Sequence, residues 1–180
     1  MKLLIIVSIV WFAVSCEKPL FNDDELSLPK ENYNGNQLKV NGYYYYPYQV
    51  SDGSTNNDVY FIYRNGVILY GSTVPNDMLI DKEQEYMNGS FKSFAKDIKY
   101  YWGRLIIEGS TIKFERWYPS SGGPLRAGVR EGTILNDTTF HITESYRLQD
   151  GEKQDVKERD ETYHFKALSP KPDSTNEFTH

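Results

Sequence analysis

From Gln37 to Leu168 the chain is a succession of short runs in which apolar and polar residues alternate, bounded by Gly, Asn, Asp, Ser or Pro. A period of two sends successive side chains to opposite faces of a strand, so these runs predict β-strands. They are Gln37 to Tyr46, stopped by Pro47; Val59 to Arg64; Val67 to Thr73; Arg104 to Glu108; Thr111 to Tyr118; Leu125 to Leu135; Thr138 to Tyr146; and Glu161 to Leu168. Asn65-Gly66, Gly109-Ser110 and Asn136-Asp137 suit two-residue hairpins, because Gly, Asn and Asp tolerate positive φ. One stretch departs from the pattern. After Pro75, the positions Phe91, Phe94, Ala95, Ile98 and Tyr101 lay an apolar stripe on one helical face, which predicts a helix or two short helices before Tyr100.

Antiparallel succession assigns each connection to an end. The three tight turns share one end with the entry into the first strand. The long connections, Pro47 to Asp58, Val74 to Tyr101, Pro119 to Pro124 and Gln149 to Asp160, share the other. Eight strands in a meander lose their exposed edges by closing the first onto the last. The expectation is therefore mainly β, a single eight-stranded antiparallel up-and-down barrel over residues 37–168 with a helical insertion between strands 3 and 4. The more apolar parity of each run is assigned to the interior: Phe61 and Tyr63, Leu105 and Ile107, Ile112 and Phe114, Val129 and Leu135, Phe140 and Ile142, Tyr163 and Phe165.

The first residues are different in kind. Leu3 to Val14 is apolar apart from Ser8, too short for a spanning helix of about 20 apolar residues, and reads as a secretory signal over residues 1–15. Ala13-Val14-Ser15-Cys16 resembles the lipobox of bacterial lipoproteins, where small residues precede a cysteine that is acylated after cleavage. That resemblance implies membrane attachment through acyl chains on Cys16, palmitate among them, and an address in the cell envelope, as an outer-membrane lipoprotein facing the periplasm or the surface. Residues 16–36 have no sustained period and read as a flexible tether, with Asn22-Asp23-Asp24-Glu25 similar to an acidic export signal or else a solvated linker. Ser169 to His180 reads as a patternless tail.

Composition narrows the function classes. Fifteen Tyr, nine Phe and three Trp favour a β-rich fold. A formal charge of -5 without a basic block argues against nucleic acid. A single Cys builds neither a disulfide framework nor a thiolate metal site, and His141, His164 and His180 lack metal-ligand spacing. With no nucleophile and base pair and no phosphate-cradling loop in view, neither an enzyme, a cofactor nor a metal is expected.

Gly42-Tyr43-Tyr44 on the first strand is similar to the Gly-x-Trp motif of lipocalins, with Tyr in place of Trp. Together with the strand count, this makes residues 37–168 resemble a lipocalin-like (calycin) barrel of the kind carried by bacterial lipoproteins. The helix between the third and fourth runs departs from that family, which places its helix after the eighth strand. The resemblance implies a ligand cup at the end of the long connections, with the helical segment as plug or lid.

Extending the interior parity toward that end reaches Arg116 and Tyr118, and then Glu144 and Tyr146, as mouth residues above Phe61, Phe114 and Phe140. Strands two apart stand about 10 Å from each other, so Arg116 is expected to pair with Glu144 or to meet an anionic headgroup. The Tyr43 to Tyr48 cluster with Trp102, Trp117 and Tyr118 offers a stacking platform or, equally, ordinary cross-strand packing. Two functions follow as expectations. One is a membrane-anchored barrel binding a small apolar or amphipathic molecule at its open end. The alternative is a solid-cored envelope module docking a protein or glycan through the same loops.

Overall fold

Eight antiparallel strands close on themselves in the computed structural model, which describes residues 22–180. They are β1 (Gly42–Gln49), β2 (Thr55–Ile62), β3 (Val67–Pro75), β4 (Trp102–Glu108), β5 (Thr111–Tyr118), β6 (Arg126–Asn136), β7 (Thr139–Gln149) and β8 (Glu152–Ala167), paired in chain order. The seam joins Gly42–Tyr45 to Ala167–His164. Gly42 makes this closure possible: a Cβ there would stand 2.1 Å from the Lys166 carbonyl oxygen. Two helices, α1 (Leu79–Met87) and α2 (Ser90–Ala95), lie between β3 and β4, where the apolar stripe predicts them.

The lower bore, at the end of the tight turns, is filled by rings. Phe140 stacks on Tyr163 with centroids 4.8 Å apart, Tyr60 lies 5.1 Å from Phe114, and Tyr44 lies 5.0 Å from Phe140 and 5.4 Å from Phe165. Leu105, Ile112, Ile142, Ile62 and Ile68 complete this core, with Ile107 and Ile134 packed against it. A second core lies outside the wall. There Tyr43, Phe61, Tyr63 and Leu69 meet Tyr86, Phe91 and Ala95 of the helices, together with Trp102. Tyr86 donates its hydroxyl to the Gly71 carbonyl at 2.7 Å, and Trp102 Nε1 donates to Ala95 O at 2.9 Å. The helical insertion is thus a buttress on the outer wall and not a plug or lid.

This second core corrects several interior assignments. Phe61 and Tyr63 face outward under the helices, and Tyr60 and Ile62 fill the bore in their place. Val129 faces outward with Leu28 and Tyr146, and Leu135 is exposed. The inner parity of β6 is Gly128, Arg130, Gly132 and Ile134, opposite the inner residues Arg116, Phe114 and Ile112 of β5 and Phe140 of β7. Apolarity misassigns these strands because their outer faces are also covered.

The cover over β4, β5 and β6 is the N-terminal segment. Residues 22–38 run down the outer wall from the open end to the closed end, burying Leu26, Leu28, Tyr33 and Leu38. Glu115, itself buried and outward-facing, accepts from Ser27 Oγ at 2.7 Å and from the Leu28 N–H at 2.8 Å. Arg104 Nη1 donates to Leu28 O at 2.9 Å. From residue 22 on, the expected tether is therefore a packed strap; Cys16 and residues 1–21 lie outside the described residues. The tail also packs. Tyr63 Oη donates to Pro172 O at 2.7 Å, and Lys171 Nζ donates to Val40 O at 2.5 Å and Ile62 O at 2.9 Å.

The expected charged loop from Gln149 to Asp160 is also absent. Asp150 and Gly151, with φ of +53° and +81°, form a tight turn, and β8 starts at Glu152. The β7–β8 ladder continues past the barrel rim, pairing Arg147 with Gln154 and Gln149 with Glu152. Both faces of this ribbon are wet, so its sequence carries no apolar alternation.

Removing the strap's buried acceptor tests this packing. Glu115→Ala leaves the Leu28 N–H without its partner and should cost about 1–3 kcal/mol in urea unfolding. An unchanged midpoint and slope would mean that the strap does not contribute to the folded state.

Candidate functional site

Above the packed rings, the inner face of the barrel becomes polar. Tyr60 and Tyr163 are the boundary: their rings belong to the core, and their hydroxyls meet two guanidiniums, the buried Arg116 and the partly buried Arg130. Arg116 Nε donates to Tyr60 Oη at 3.1 Å, and Arg116 Nη1 donates to the carbonyls of Tyr100 at 3.2 Å and Trp117 at 3.1 Å. The guanidinium lies over the rings of Tyr70 at 4.0 Å and Tyr118 at 3.9 Å. Arg130 Nη1 donates to Tyr163 Oη at 2.8 Å and to the carboxylate of Glu161. A further inner acid of this layer, Asp58, accepts from Thr73 Oγ1 at 2.6 Å and from Tyr70 Oη at 3.4 Å.

A cavity of about 410 Å³ opens above this layer, between the end of β5, the first half of β6 and the ribbon of β7 and β8. Its walls include Tyr118, Arg126, Gly128, Arg130, Ser145, Arg147, Val156, Lys157 and Arg159, with Asp155 as their one acid. Gly128 makes the room: a Cβ there would stand 3.1 Å from the Tyr118 ring. Arg159 Nε donates to Ser145 Oγ at 2.8 Å, and Arg159 Nη1 stands 3.7 Å from Glu161. Lys157 has no ion-pair partner among the described residues. Arg126 and Arg147 pair with Asp24, and Arg130 and Arg159 with Glu161, so with Asp155 these five cations meet three carboxylates and the lining stays positive by two in a chain that is acidic as a whole.

At the rim, the strap contributes two carboxylates. Asp23 accepts the Leu125 N–H at 2.8 Å and pairs with Lys99 at 3.2 Å. Asp24 accepts the Ala127 N–H at 3.0 Å and pairs with Arg126 at 2.9 Å and Arg147 at 3.1 Å. Burial works against the Asp24 carboxylate, but Arg126, the Ala127 N–H and Arg147 together hold its pKa below the ordinary value. The acidic run Asn22 to Glu25 therefore docks on the mouth, where it meets Lys99, Arg126 and Arg147.

The cationic field also reaches Tyr118. Burial alone would push its phenol up, but Arg116 and Arg130 pull it below the usual tyrosine value. The same guanidiniums do not rescue Tyr60 or Tyr163, which burial holds above that value. The same two guanidiniums would favour an anion placed beside the Tyr118 hydroxyl.

The expected mouth residues divide. Arg116 and Tyr118 lie on the inner face as expected, although Arg116 is already satisfied by protein groups and only Tyr118 borders the cavity. Glu144 and Tyr146 do not face inward. Thr143 is an extra residue in β7, since Gly132 pairs with Ile142 while Glu131 pairs with Glu144, and this bulge reverses the parity beyond it. Glu144 pairs with Lys153 outside, not with Arg116. Tyr146 borders the cavity but donates its hydroxyl to Glu131 Oε2 at 2.6 Å on the outer wall. Phe114 and Phe140 floor the bore, and Phe61 lies outside it. Trp102 and Trp117 are buried under the helices and the strap, with Trp117 Nε1 donating to Asp24 O at 2.6 Å, so they form no open platform.

Arg130, Ser145, Lys157 and Arg159 escaped sequence reasoning. For Arg130 a signal existed: it sits between Gly128 and Gly132, on the parity that must oppose Phe114. Lys157 and Arg159 carried none, because their strand reads as a loop.

No family model matches the chain, and no curated protein or solved structure matches it either. The likeness to lipocalins rests on architecture alone, a closed eight-stranded antiparallel barrel consistent with that fold.

Two titrations follow from these environments. Tyr118 should ionise before Tyr60, Tyr163 and Tyr44, so Tyr118→Phe should remove a low-pH component of the near-UV phenolate titration; an unchanged low-pH component would contradict the field assigned to Arg116 and Arg130. Tyr60, Tyr163 and Tyr44 keep their protons in the folded state after the unfolded chain has begun to lose them. Folding stability should therefore fall as the pH rises beyond about 10, the unfolded tyrosine pKa. A chemical-denaturation series across that range checks the sign, and stability rising there would contradict the assignment.

Proposed function

We propose that this protein is a lipid-anchored, lipocalin-like barrel of the bacterial cell envelope that binds a small amphipathic molecule at its open end, gripping it by an anionic group. The observation that carries this reading is the cationic cavity set above a bore closed by rings. The cavity has room for a headgroup and a short length of chain, while the filled bore offers no deep apolar cup. Val156 and the Tyr118 ring supply apolar wall, and Arg130, Lys157, Arg159 and Ser145 supply charge and hydrogen bonds. Arginine and lysine donors on an anion form charge-assisted bonds, which are stronger than neutral ones. Anchoring through Cys16, at the outer membrane, is part of this proposal and rests on the lipobox-like Ala13 to Cys16.

The alternative, a solid-cored module docking an envelope protein or glycan through the loops of the same end, is supported by the filled lower bore. Small molecules released from natively purified protein, identified by mass spectrometry, separate the two. An amphipathic anion at stoichiometric yield is expected. Protein that stays empty after exposure to long-chain fatty acids and lysophospholipids would refute the ligand reading in favour of docking. For the released molecule, Lys157→Gln with Arg159→Gln should weaken binding by about tenfold or more, since each charged hydrogen bond contributes about 1.5–3 kcal/mol. Both side chains lie outside the packed core, so the unfolding midpoint should stay close to that of the parent. Unchanged affinity in a folded double variant would contradict the site.

A further inference from the structure

We infer that the open end of the barrel faces the membrane that anchors the chain, and that its cationic cavity takes the anionic headgroup of a lipid from that membrane. This deepens the function proposed above and rests on it for the cavity and for the acylation of Cys16.

The strap sets the orientation. A chain entering the first strand at the closed end would be expected to carry its anchor there, holding the mouth away from the bilayer. Residues 22–38 instead run the full height of the outer wall before reaching β1. Their upper end is fixed to the rim by Asp23 on the Leu125 N–H and Lys99, and by Asp24 on Arg126, Arg147 and the Ala127 N–H. Their lower end is fixed by the Tyr33 N–H on Arg64 O at 2.8 Å and the Lys39 N–H on Asp137 O at 2.9 Å. The described chain therefore begins at the mouth, at the end of the strap nearer to Cys16. Cys16 precedes Asp23 by seven residues, which reach about 25 Å when fully extended. That is about the length of an eight-residue strand such as β5. The closed end could meet the bilayer only if the whole of that maximum reach were spent straight down the wall, whereas the mouth lies within reach at every shorter span. Covalent reach thus points the mouth to the membrane.

Charge then selects the headgroup. The hairpin tip carries Asp150 and Glu152, and Asp155 borders the cavity, so the rim as a whole is not a basic patch that would adhere to any anionic surface. On the inner side, Arg130, Lys157 and Arg159 face the single carboxylate of Glu161, which leaves an excess of two positive charges there. An anionic lipid can satisfy it by moving its phosphate into the cavity while its acyl chains remain in the bilayer next to the rim. The short bore fits this arrangement, because no acyl chain needs to be enclosed.

The test uses the acylated full-length chain in vesicles of phosphatidylcholine, with and without phosphatidylglycerol. Single cysteines at the mouth loop (Ser121→Cys) or at the closed end (Ser110→Cys) carry a fluorophore, and a headgroup-labelled lipid acts as quencher. Quenching several-fold stronger at residue 121 than at residue 110 is expected. Equal or reversed quenching would overturn the orientation while leaving ligand binding in solution intact. Phosphatidylglycerol should deepen quenching at residue 121, and Lys157→Gln with Arg159→Gln should abolish that increment while keeping the preference for residue 121. An increment that survives the double substitution would overturn the headgroup site. Saturable binding of inorganic phosphate in vesicles of phosphatidylcholine alone, undiminished when phosphatidylglycerol is added, would show a site that prefers the free anion and overturn the membrane source. Failure of the proposed function has its own signature: the orientation holds, yet no amphipathic anion binds with or without a bilayer.

Discussion

Tyr60 and Tyr163 join the two halves of this barrel. Each is fully buried, and each belongs to both of the environments that meet in the bore. Their rings, with Phe114 and Phe140, fill its lower half. Their hydroxyls accept from Arg116 and Arg130, so two guanidiniums can be held largely away from water, with one carboxylate, Glu161, paired to Arg130. Burying a cation is costly unless nearly every donor is met, and here phenol oxygens, backbone carbonyls and aromatic faces meet them. The cationic mouth rests on that layer. Without the rings beneath, the guanidiniums would face an open hydrated shaft, and the positive field at Tyr118 would be screened.

A second constraint is the coverage of the outer wall. An up-and-down barrel free in water has an apolar inside and a polar outside. Here helices α1 and α2 cover β1, β2 and β3, and the strap covers β4, β5 and β6, so both parities of several strands are apolar. The wall is a layer between two cores. The strap belongs to the architecture and is not a leash, since a buried carboxylate, Glu115, is committed to its backbone and one of its hydroxyls.

These two constraints explain what could be read from the sequence. Strand number, order, closure and the helical insertion were legible because turn chemistry and period are local properties: Gly66 and Gly109 take positive φ, and Phe91 and Ala95 share a buried helical face. Interior parity was legible in β4, β5, β7 up to Ile142, and β8 from Glu161, where only one face is strongly apolar. It failed in β2 and β6, where Phe61 and Val129 are apolar for the benefit of elements distant in sequence. It failed again beyond Thr143, because a bulge has no reliable signature in a single chain, and Glu144 and Tyr146 were turned outward with it. The ribbon from Glu152 to Asp160 was hidden for the opposite reason: wet on both faces, it needs no pattern. The site was thus half legible. Tyr118 and Arg116 follow from parity, while Arg130, Ser145, Lys157 and Arg159 depend on strand register and on the ribbon.

The central claim is that a ring-filled bore carries an anion-binding mouth. Side-chain NMR of arginine guanidiniums and aromatic rings, followed while an amphipathic anion is added, addresses it most directly. The account predicts shifts at Arg130, Arg159 and the Tyr118 ring, with Phe140 and Phe165 unmoved because the bore beneath stays closed. Shifts spreading through Phe140 and Phe165, or confined to the exposed helix residue Phe94, would contradict it.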